Sequence, residues 1–332
     1  MGDTKPRRAR RGAGPVTAIT LLAMTLVIAM LVGDASLGVV PAGATPRPAP
    51  VSSRSSAVAS GVRSTADHTW WSPPLGNQPW QWELSHPLHL TSAEDMGTDD
   101  KLPGGKPAPA PAIYDIDGII NPASTVRALH AMKKHVVCYI EVGAAGNYYS
   151  AQAEGVSTTY YRQFAAANVL GRAVPGWPER YLNIAAPATV RIVESMIGHQ
   201  CGAKGFDAVE TDIDEEYTSD SGFPLTKASE ERYMTGLAGY MHHLGLGWWI
   251  KNPDDTGDSY ASDMFPIADA VLTEQCNQYG SCGLLGSYLG HKAVFNAEYR
   301  LKPRAFCAAD VARGINGAQF NLNLTGIRKP CA

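Results

Sequence analysis

Short apolar runs recur along the chain after residue 79, and segments with helical spacing of apolar residues separate most of them. Most runs are continuously apolar rather than alternating, which is typical of parallel strands whose two faces are both covered. The pattern predicts the strands Trp80–Leu84, Ile113–Asp117, Val136–Val142, Phe206–Asp212, Gly247–Asn252, Ala270–Gln275, Ala293–Tyr299 and Ala318–Leu322.

The segments between these runs predict helices, because their apolar residues repeat at helical spacing. The stripes are Val190, Val193 and Ile197 after Pro187; Tyr233, Leu237, Met241 and Leu244 before Gly245; and a weaker one, Val126, Leu129 and Met132. Strands alternating with helices over about 260 residues predict an α/β fold, a single (β/α)₈ TIM barrel. An open doubly wound sheet is disfavoured, because the sequence has no Gly-x-Gly-x-x-Gly turn.

The first 44 residues have the features of an export signal. Four arginines between positions 7 and 11 precede an uncharged apolar run from 16 to 32, and Ala42-Gly43-Ala44 resembles a signal-peptidase site. Residues 1–44 are expected to be a signal peptide or, since the run is just long enough to span a bilayer, an N-terminal membrane anchor. Residues 45–70 are expected to be a disordered linker rich in Pro, Ser and Ala. Residues 71–332 would then form a barrel outside the cytoplasm.

Six cysteines in an exported chain predict disulfides rather than thiol chemistry. Several pairings are possible from the sequence. Cys276 and Cys282 are the favoured pair, because they flank a short segment. The remaining pairs would then be Cys307 with Cys331 and Cys138 with Cys201.

The charged residues argue against one class of partner and favour another. The net charge is −3, and beyond the signal no stripe of Lys and Arg predicts a nucleic-acid ligand. One stretch instead carries acidic residues without any basic one. Its members are Asp207, Glu210, Asp212, Asp214, Glu215, Glu216 and Asp220.

Polar residues stand at the carboxyl ends of the predicted strands, which line the active-site face of a TIM barrel. In chain order they are Asp115 and Asp117; Tyr139 and Glu141; Glu210, Asp212 and Asp214; Lys251 and Asn252; Glu274 and Gln275; Glu298 and Tyr299; Asn321 and Asn323. Burying so many carboxylates is costly without a purpose, so this end of the barrel is the predicted active site.

Several chemistries lack the residues that they need. No Gly-x-Ser-x-Gly elbow supports a serine nucleophile. His86-x-x-His89 and His242-His243 lack evident partners for a zinc site and are interpreted as surface histidines. Asp212-x-Asp214-x-Glu216 resembles the opening of a calcium loop, but Tyr217 and Phe223 replace the required glycine and glutamate.

Paired-carboxylate chemistry remains, because glycoside hydrolysis needs one protonated and one ionised carboxyl group. A dense acidic cluster raises the pKa of one member while another stays low. Trp70, Trp71, Trp80 and Trp82 offer either flat faces for sugar rings or packing for the interior and bottom of the barrel.

At these residues the sequence resembles glycoside hydrolase family 114, the endo-α-1,4-polygalactosaminidases, from about Trp71 to Tyr299. The stretches that carry the resemblance are Trp80–Leu84, Tyr114–Asp117, Val137–Tyr139, Gly176–Arg180, Gly205–Glu210, Lys251–Asn252, Glu274–Cys276 and Val294–Tyr299. No stretch is diagnostic by itself, but their order matches the order of the predicted strands.

The resemblance implies a metal-free and cofactor-free barrel that cuts α-1,4 linkages in galactosamine-containing polymers. It assigns Asp212 as the nucleophile or stabilising carboxylate and Glu274 as the general acid/base. The expected substrate-binding residues are Asp115, Asp117, Tyr139, Glu210, Asp214, Lys251, Asn252, Gln275 and Tyr299.

The sequence departs from the family pattern close to the predicted site. Ile213 replaces an asparagine, and the second aspartate of the pattern falls on Glu215 or, with a shifted loop, on Asp214. Glu141 stands where the family has a small residue and could share the acid/base role, and Asn183 replaces an aspartate. These changes bear on the substrate rather than the fold.

An anionic cleft concentrates a cationic chain, so the expected substrate is an amino-sugar polysaccharide. Two other hypotheses fit the sequence: a non-catalytic carbohydrate-binding barrel, and a barrel hydrolase of another glycan or amide, which ought to show metal ligands.

Overall fold

The computed structural model of the chain describes residues 70–147 and 156–332. The predicted targeting segment, and the predicted linker up to residue 69, lie outside the described residues. No helix within the described ranges is long and apolar enough to cross a membrane.

Nine strands form one sheet in the order β1-β2-β3-β7-β8-β9-β10-β11-β12, and the pairs from β1 to β11 are all parallel. These strands are β1 (Trp80–Glu83), β2 (Ile113–Asp117), β3 (His135–Glu141), β7 (Ala208–Asp212), β8 (Gly247–Lys251), β9 (Ala270–Glu274), β10 (Ala293–Glu298), β11 (Ile315–Phe320) and β12 (Arg328–Pro330). The eight predicted strands are therefore confirmed, with ends shifted by up to three residues.

Helices lie between the strands, as the barrel architecture requires. They are α1 (Ala93–Met96), α2 (Ala123–Ala131), α3 (Val156–Ala166), α4 (Pro187–Ile197), α5 (Lys227–His243), α6 (Tyr260–Met264), α7 (Cys276–Tyr279) and α8 (Pro303–Arg313). The predicted helices correspond to α2, α4 and α5. Met132 and Leu244, assigned to their apolar stripes, instead cap the carboxyl ends and are partly exposed, because each helix ends just before that residue.

The two faces of each strand are buried in different places. Trp248 packs with the layer beneath the helices, whereas Trp249 packs in the barrel interior, where its ring stacks on Phe295 at 4.4 Å between centroids. Burying a large side chain contributes roughly 1.5–3 kcal/mol, so both faces select apolar residues. The continuous apolar runs follow from this double burial.

Side chains and one backbone bridge join the first strand to the last part of the chain. The indole of Trp80 donates to the carbonyl of Asn316 at 3.0 Å. Glu83 forms a bridge with Thr325, and Leu84 N–H donates to the Leu324 carbonyl at 3.1 Å. The barrel is therefore closed between β1 and the segment that follows β11.

A second sheet of three antiparallel strands was not predicted. Its strands are β4 (Ala144–Gly146), β5 (Leu170–Ala173) and β6 (Glu179–Leu182), in the order β4-β6-β5. These strands are three or four residues long and lack a continuous apolar run, so hydrophobic periodicity does not reveal them. Their position after β3 places them beside the carboxyl end of the barrel.

The disulfides join Cys276 to Cys282, Cys307 to Cys331 and Cys138 to Cys201, as predicted. The first encloses a loop that begins two residues after Glu274.

The tryptophans pack rather than offering open faces. Trp70 stacks on His242 and Trp71 on His135, with ring centroids 3.7 and 4.1 Å apart. His135 begins β3, so Trp71 lies at the amino-terminal end of the barrel. Trp80 and Trp82 are buried in the barrel interior.

Candidate active site

The carboxyl ends of β7, β8 and β9 bring Asp212, Lys251 and Glu274 together. The Lys251 Nζ atom lies 3.6 Å from Asp212 Oδ1 and 3.6 Å from Glu274 Oε2. Those two carboxylate oxygens are therefore at most twice that distance apart. The two predicted catalytic carboxylates consequently share one ammonium group at the barrel mouth.

Hydrogen bonds fix both carboxylates. The Tyr139 hydroxyl donates to Asp212 Oδ2 at 2.6 Å. Asn252 Nδ2 donates to Glu274 Oε2 at 2.9 Å, and the Tyr299 hydroxyl donates to Glu274 Oε1. Asn252 also accepts the backbone N–H of Glu274 at 2.8 Å, so one amide side chain sets both the backbone and the carboxylate of Glu274.

The backbone turns sharply directly after each of these three strands. Ile213, Asn252 and Gln275 have φ values of 61°, 49° and 58°, in the left-handed region. Asparagine tolerates that region, whereas a β-branched isoleucine there is a strained exception. The turns end the strands at or beside the charged residues.

Lys251 lies at the centre of the charge balance. Burial lowers the pKa of Lys251, but attraction to Asp212, Glu210 and Glu274 outweighs that effect, and the net shift is upward. Its Nζ atom is 2.8 Å from Glu210 Oε1 and 4.8 Å from the Trp82 ring centroid. The ammonium is thus charged and is enclosed by three carboxylates and an aromatic face.

A layer of buried acids supports the mouth. Glu210 is fully buried and accepts from the Trp82 indole at 3.1 Å. Burial raises the pKa of Glu210, while Lys251 and a hydrogen bond with Asp115 lower it. Asp115 is fully buried as well and lies in the same acidic layer beneath the site.

Asp214 belongs to this buried support rather than to the open mouth. Its Oδ2 accepts from the Thr211 hydroxyl at 2.8 Å and from the Lys251 backbone N–H at 2.9 Å. Burial raises the pKa of Asp214 to about 7. The predicted sugar contact of Asp214 would therefore require it to move, because its side chain is fully buried.

Six of the predicted site residues converge on the mouth. They are Tyr139, Asp212, Lys251, Asn252, Glu274 and Tyr299. Asp115 and Glu210 lie below them. Asp117 accepts from the backbone of Ile119 and Ile120 at 2.8 and 3.0 Å, and Gln275 donates to Gln278 at 2.8 Å, so both also have local structural partners.

A cleft lies beside β2 and β3 and shares Tyr139 with the mouth. Its lining includes Asp117, Tyr139, Glu141, Tyr160, Tyr161 and Phe164. Glu141 is half-buried there, next to the predicted sugar-binding residues. The three aromatic residues of α3 were not predicted as site residues, because aromatic residues at this spacing are also typical of the face by which a helix packs against a core.

The acidic stretch does not form one charged surface. Asp207 accepts from the Val136 backbone N–H at 2.7 Å at the opposite end of the strands. Asp220 pairs with Arg172 on the surface, and Glu216 is buried. Within the stretch, Asp212 is the carboxylate that combines partial exposure with contact to Lys251.

One cluster beyond the end of β1 was not predicted. His86 and His89 were interpreted as surface histidines without partners for a zinc site; their side chains are partly exposed, and the fold brings Asp95 of α1 beside them. The spacing from His89 to Asp95 spans a loop and a helix turn, so the contact depends on the chain path and is not a sequence motif.

The sequence matches the family described as Glycoside-hydrolase family GH114 over residues 61–331. The structure is similar to the crystal structure of Aspergillus fumigatus Ega3 in complex with galactosamine. The sequence identity is 25%, the TM-score is 0.65, and the match covers 82% of this chain and 100% of that chain.

The glycoside hydrolase domain of PelA from Pseudomonas aeruginosa is similar at 13% identity and a TM-score of 0.51, covering 75% of this chain and 97% of that chain. At that identity the likeness shows the fold alone. No curated protein sequence matches the chain.

Proposed function

Because the chain belongs to glycoside-hydrolase family GH114, we propose that it hydrolyses α-1,4 linkages in a galactosamine-containing exopolysaccharide. The observation that carries this proposal is the placement of Asp212 and Glu274 at 3.6 Å from one lysine. Two carboxyl groups that face one cleft are the minimum machinery for glycoside hydrolysis.

Asp212 acts as the nucleophile or as the carboxylate that stabilises the developing positive charge on the sugar. The ammonium of Lys251 and the hydroxyl of Tyr139 both favour its ionised form. Glu274 acts as the general acid/base. Lys251 is equally distant from both carboxylates, so this division of roles rests on the family resemblance.

The substrate class follows from charge. Asp212 and Glu274 share the ammonium of Lys251 at the mouth, and Glu210 contacts the same ammonium from below, so carboxyl groups outnumber basic groups three to one around this lysine. An unacetylated amino sugar carries a positive charge that such a mouth attracts. Ega3, which has galactosamine in its crystal structure, supports an amino sugar as the ligand.

Product analysis tests the proposal. The full-length chain is incubated with α-1,4-galactosamine oligomers, and shortened products are measured for the protein and for Asp212→Asn and Glu274→Gln. Loss of a catalytic carboxylate should lower kcat by about 100-fold or more. Asp220→Asn, the same change at an exposed carboxylate of the acidic stretch, is the control and should keep full activity.

Two outcomes would contradict the proposal. Binding of the oligomers without cleavage would support a non-catalytic carbohydrate-binding barrel. Cleavage that survives both substitutions would remove Asp212 and Glu274 from the catalytic pair.

We also propose that the enzyme acts outside the cytoplasm after export through residues 1–44. The support is the arginine-led apolar segment and the small residues at Ala42-Gly43-Ala44. Amino-terminal sequencing of protein from the culture medium should begin at Thr45. Recovery of the intact chain only from membranes would instead favour the uncleaved anchor.

A further inference from the structure

A second cluster of metal-ligand side chains lies beyond the carboxyl end of β1. His86 and His89 stand in the loop after the strand, and Asp95 lies on α1. One ligand atom from each lies within 4.8 Å of the other two. Asp95 Oδ2 is 3.1 Å from His89 Nδ1 and 3.8 Å from His86 Nδ1.

Hydrogen bonds already fix Asp95. The Ser92 hydroxyl donates to Asp95 Oδ1 at 2.9 Å, and the His89 backbone N–H donates to Oδ2 at 2.8 Å. The side chain of Asp95 is 6% exposed, so it has little freedom to turn away. The hydrogen bonds of the loop thus fix the Asp95 carboxylate beside the imidazoles of His86 and His89.

A buried glutamate behind His86 points to a ligand. Glu83 Oε1 accepts from the backbone and hydroxyl of Ser85 and from the backbone of His86, at 2.6, 2.9 and 3.1 Å. Its Oε2 has no hydrogen-bond partner among the described residues, and the side chain is fully buried. That oxygen lies 3.6 Å from His86 Nε2. Glu83 Oε2 is therefore placed to accept a hydrogen bond from the Nε2–H group of His86.

This arrangement matches the outer contacts of a zinc-ligating histidine. When one imidazole nitrogen ligates zinc, the other usually donates to a carboxylate or carbonyl, which fixes the ring. Zinc binds nitrogen and oxygen at about 2.0–2.2 Å, which puts tetrahedral ligand atoms roughly 3.3 Å apart. The separations from Asp95 to the two histidines bracket that value.

We propose that His86 Nδ1, His89 Nδ1 and Asp95 Oδ2 bind a divalent transition metal of the zinc class, with Glu83 accepting the proton of His86 Nε2. His86 Nδ1 lies 3.1 Å from the Pro87 carbonyl, and metal binding would replace that contact. A divalent cation would also balance two carboxylates beside two neutral imidazoles. Three protein ligands leave the fourth position to water.

The cluster lies where the barrel closes, so metal binding should stabilise the fold. Gln81 Nε2 donates to the carbonyls of Asp95 and Gly326, at 2.9 and 2.8 Å. Glu83 itself bridges Thr325. An ion that fixes this loop therefore also fixes the contact between the first strand and the last segment.

The test uses Zn²⁺ alone and the full-length chain after treatment with a chelator. Calorimetry gives stoichiometry and affinity, and thermal unfolding gives Tm with and without zinc. His89→Ala removes a ligand whose side chain is 64% exposed, so its folding should be unaffected. His243→Ala removes another exposed histidine and is the matched control.

The expected result is one zinc ion per chain and a Tm that rises with zinc, since binding to the native state alone stabilises it. His89→Ala should weaken binding at least tenfold and abolish the Tm shift, and Glu83→Gln should weaken binding by about 10-fold to 100-fold. His243→Ala should bind as the unaltered chain does. Absence of stoichiometric binding would contradict the proposal, and binding by His89→Ala and Glu83→Gln as tight as that of the unaltered chain would mean an adventitious ion only. Neither result depends on hydrolytic activity.

Discussion

Lys251 is the residue whose charge makes the active site possible. Its side chain is 2% exposed and contacts Glu210, Asp212 and Glu274. Without it, three carboxylates would lie close together at low exposure with no counter-charge. The strongly favoured charged form of Lys251 is therefore a structural as well as a functional requirement.

Replacing Lys251 with Met should remove activity and destabilise the fold by about 3–5 kcal/mol near neutral pH, because the buried Glu210 loses its charge partner. The loss should shrink towards pH 5, since burial raises the pKa of Glu210 and protonation then removes the unpaired charge. Urea unfolding at the two pH values measures this. An equal loss at both would contradict the charge argument.

Asp214 should make the folded state less stable as pH rises. Its folded pKa of about 7 is above the ordinary aspartate value of 3.8, so its contribution is full below the lower value and is lost as pH rises through the upper. Asp214→Asn keeps an acceptor for Thr211 and Lys251 without the ionisation. The variant should lose less stability than the unaltered chain between pH 5 and 8, by on the order of 2–3 kcal/mol.

Urea unfolding at pH 5 and 8 measures that difference, and Asp220→Asn serves as the exposed control. Parallel pH profiles for the unaltered chain and Asp214→Asn would show that Asp214 does not titrate in this range.

At the scale of elements, left-handed turns directly follow the three charged strand ends. Asn252 and Gln275 are residues for which such a turn costs little or moderate energy, but Ile213 is not. Ile213 is nevertheless buried against Ala144, Val174 and Tyr181 of the small antiparallel region. Packing therefore holds a backbone conformation that the residue would not adopt alone.

Ile213→Asn restores the residue of the family pattern and should still destabilise the protein, by about 1–2 kcal/mol. Relief of the left-handed strain gains roughly 1 kcal/mol, whereas removing a buried isoleucine loses about 1.5–3 kcal/mol and leaves an amide in apolar surroundings. Chemical denaturation measures the change. A stabilised variant would mean that the backbone strain outweighs the packing.

The strands of the barrel could be predicted from the sequence because each is a short apolar run and the same pattern recurs along the chain. Double burial makes β3 and β8 apolar along most of their length, and their carboxyl ends lie on the active-site face by topology. The pairing of Asp212 with Glu274 therefore followed from strand ends and resemblance. The short strands β4, β5 and β6 had no such signal.

Contacts between distant loops were beyond the sequence. Asp95 reaches His89 through a turn of chain and a short helix, and no spacing rule anticipates this. The sequence also did not show that Asp214 is fully buried whereas Asp212 keeps some exposure, because the two residues are of the same type and only two positions apart. Strand alternation alone did not distinguish the two, because the chain bends at Ile213 between them.

At the scale of the whole molecule, charge should govern the rate of encounter with substrate. If the polymer is cationic, kcat/KM should fall several-fold as salt rises from about 50 to 500 mM, because salt screens the anionic mouth. Initial rates on fully deacetylated and fully acetylated oligomers measure this. Equal salt dependence on both, or a preference for the acetylated chain, would contradict a cationic substrate.

The central claim is the division of roles between Asp212 and Glu274. Its most direct test compares two galactosamine substrates that differ only in their leaving group. An α-1,4-galactosamine trimer with a nitrophenyl group needs little acid catalysis, whereas the unmodified oligomer needs a proton donor. Glu274→Gln should lose activity on the oligomer by about 100-fold or more and retain most of it in the step that releases nitrophenol. Asp212→Asn should lose both. Equal losses on both substrates for Glu274→Gln, or nitrophenol release by Asp212→Asn, would contradict the assignment.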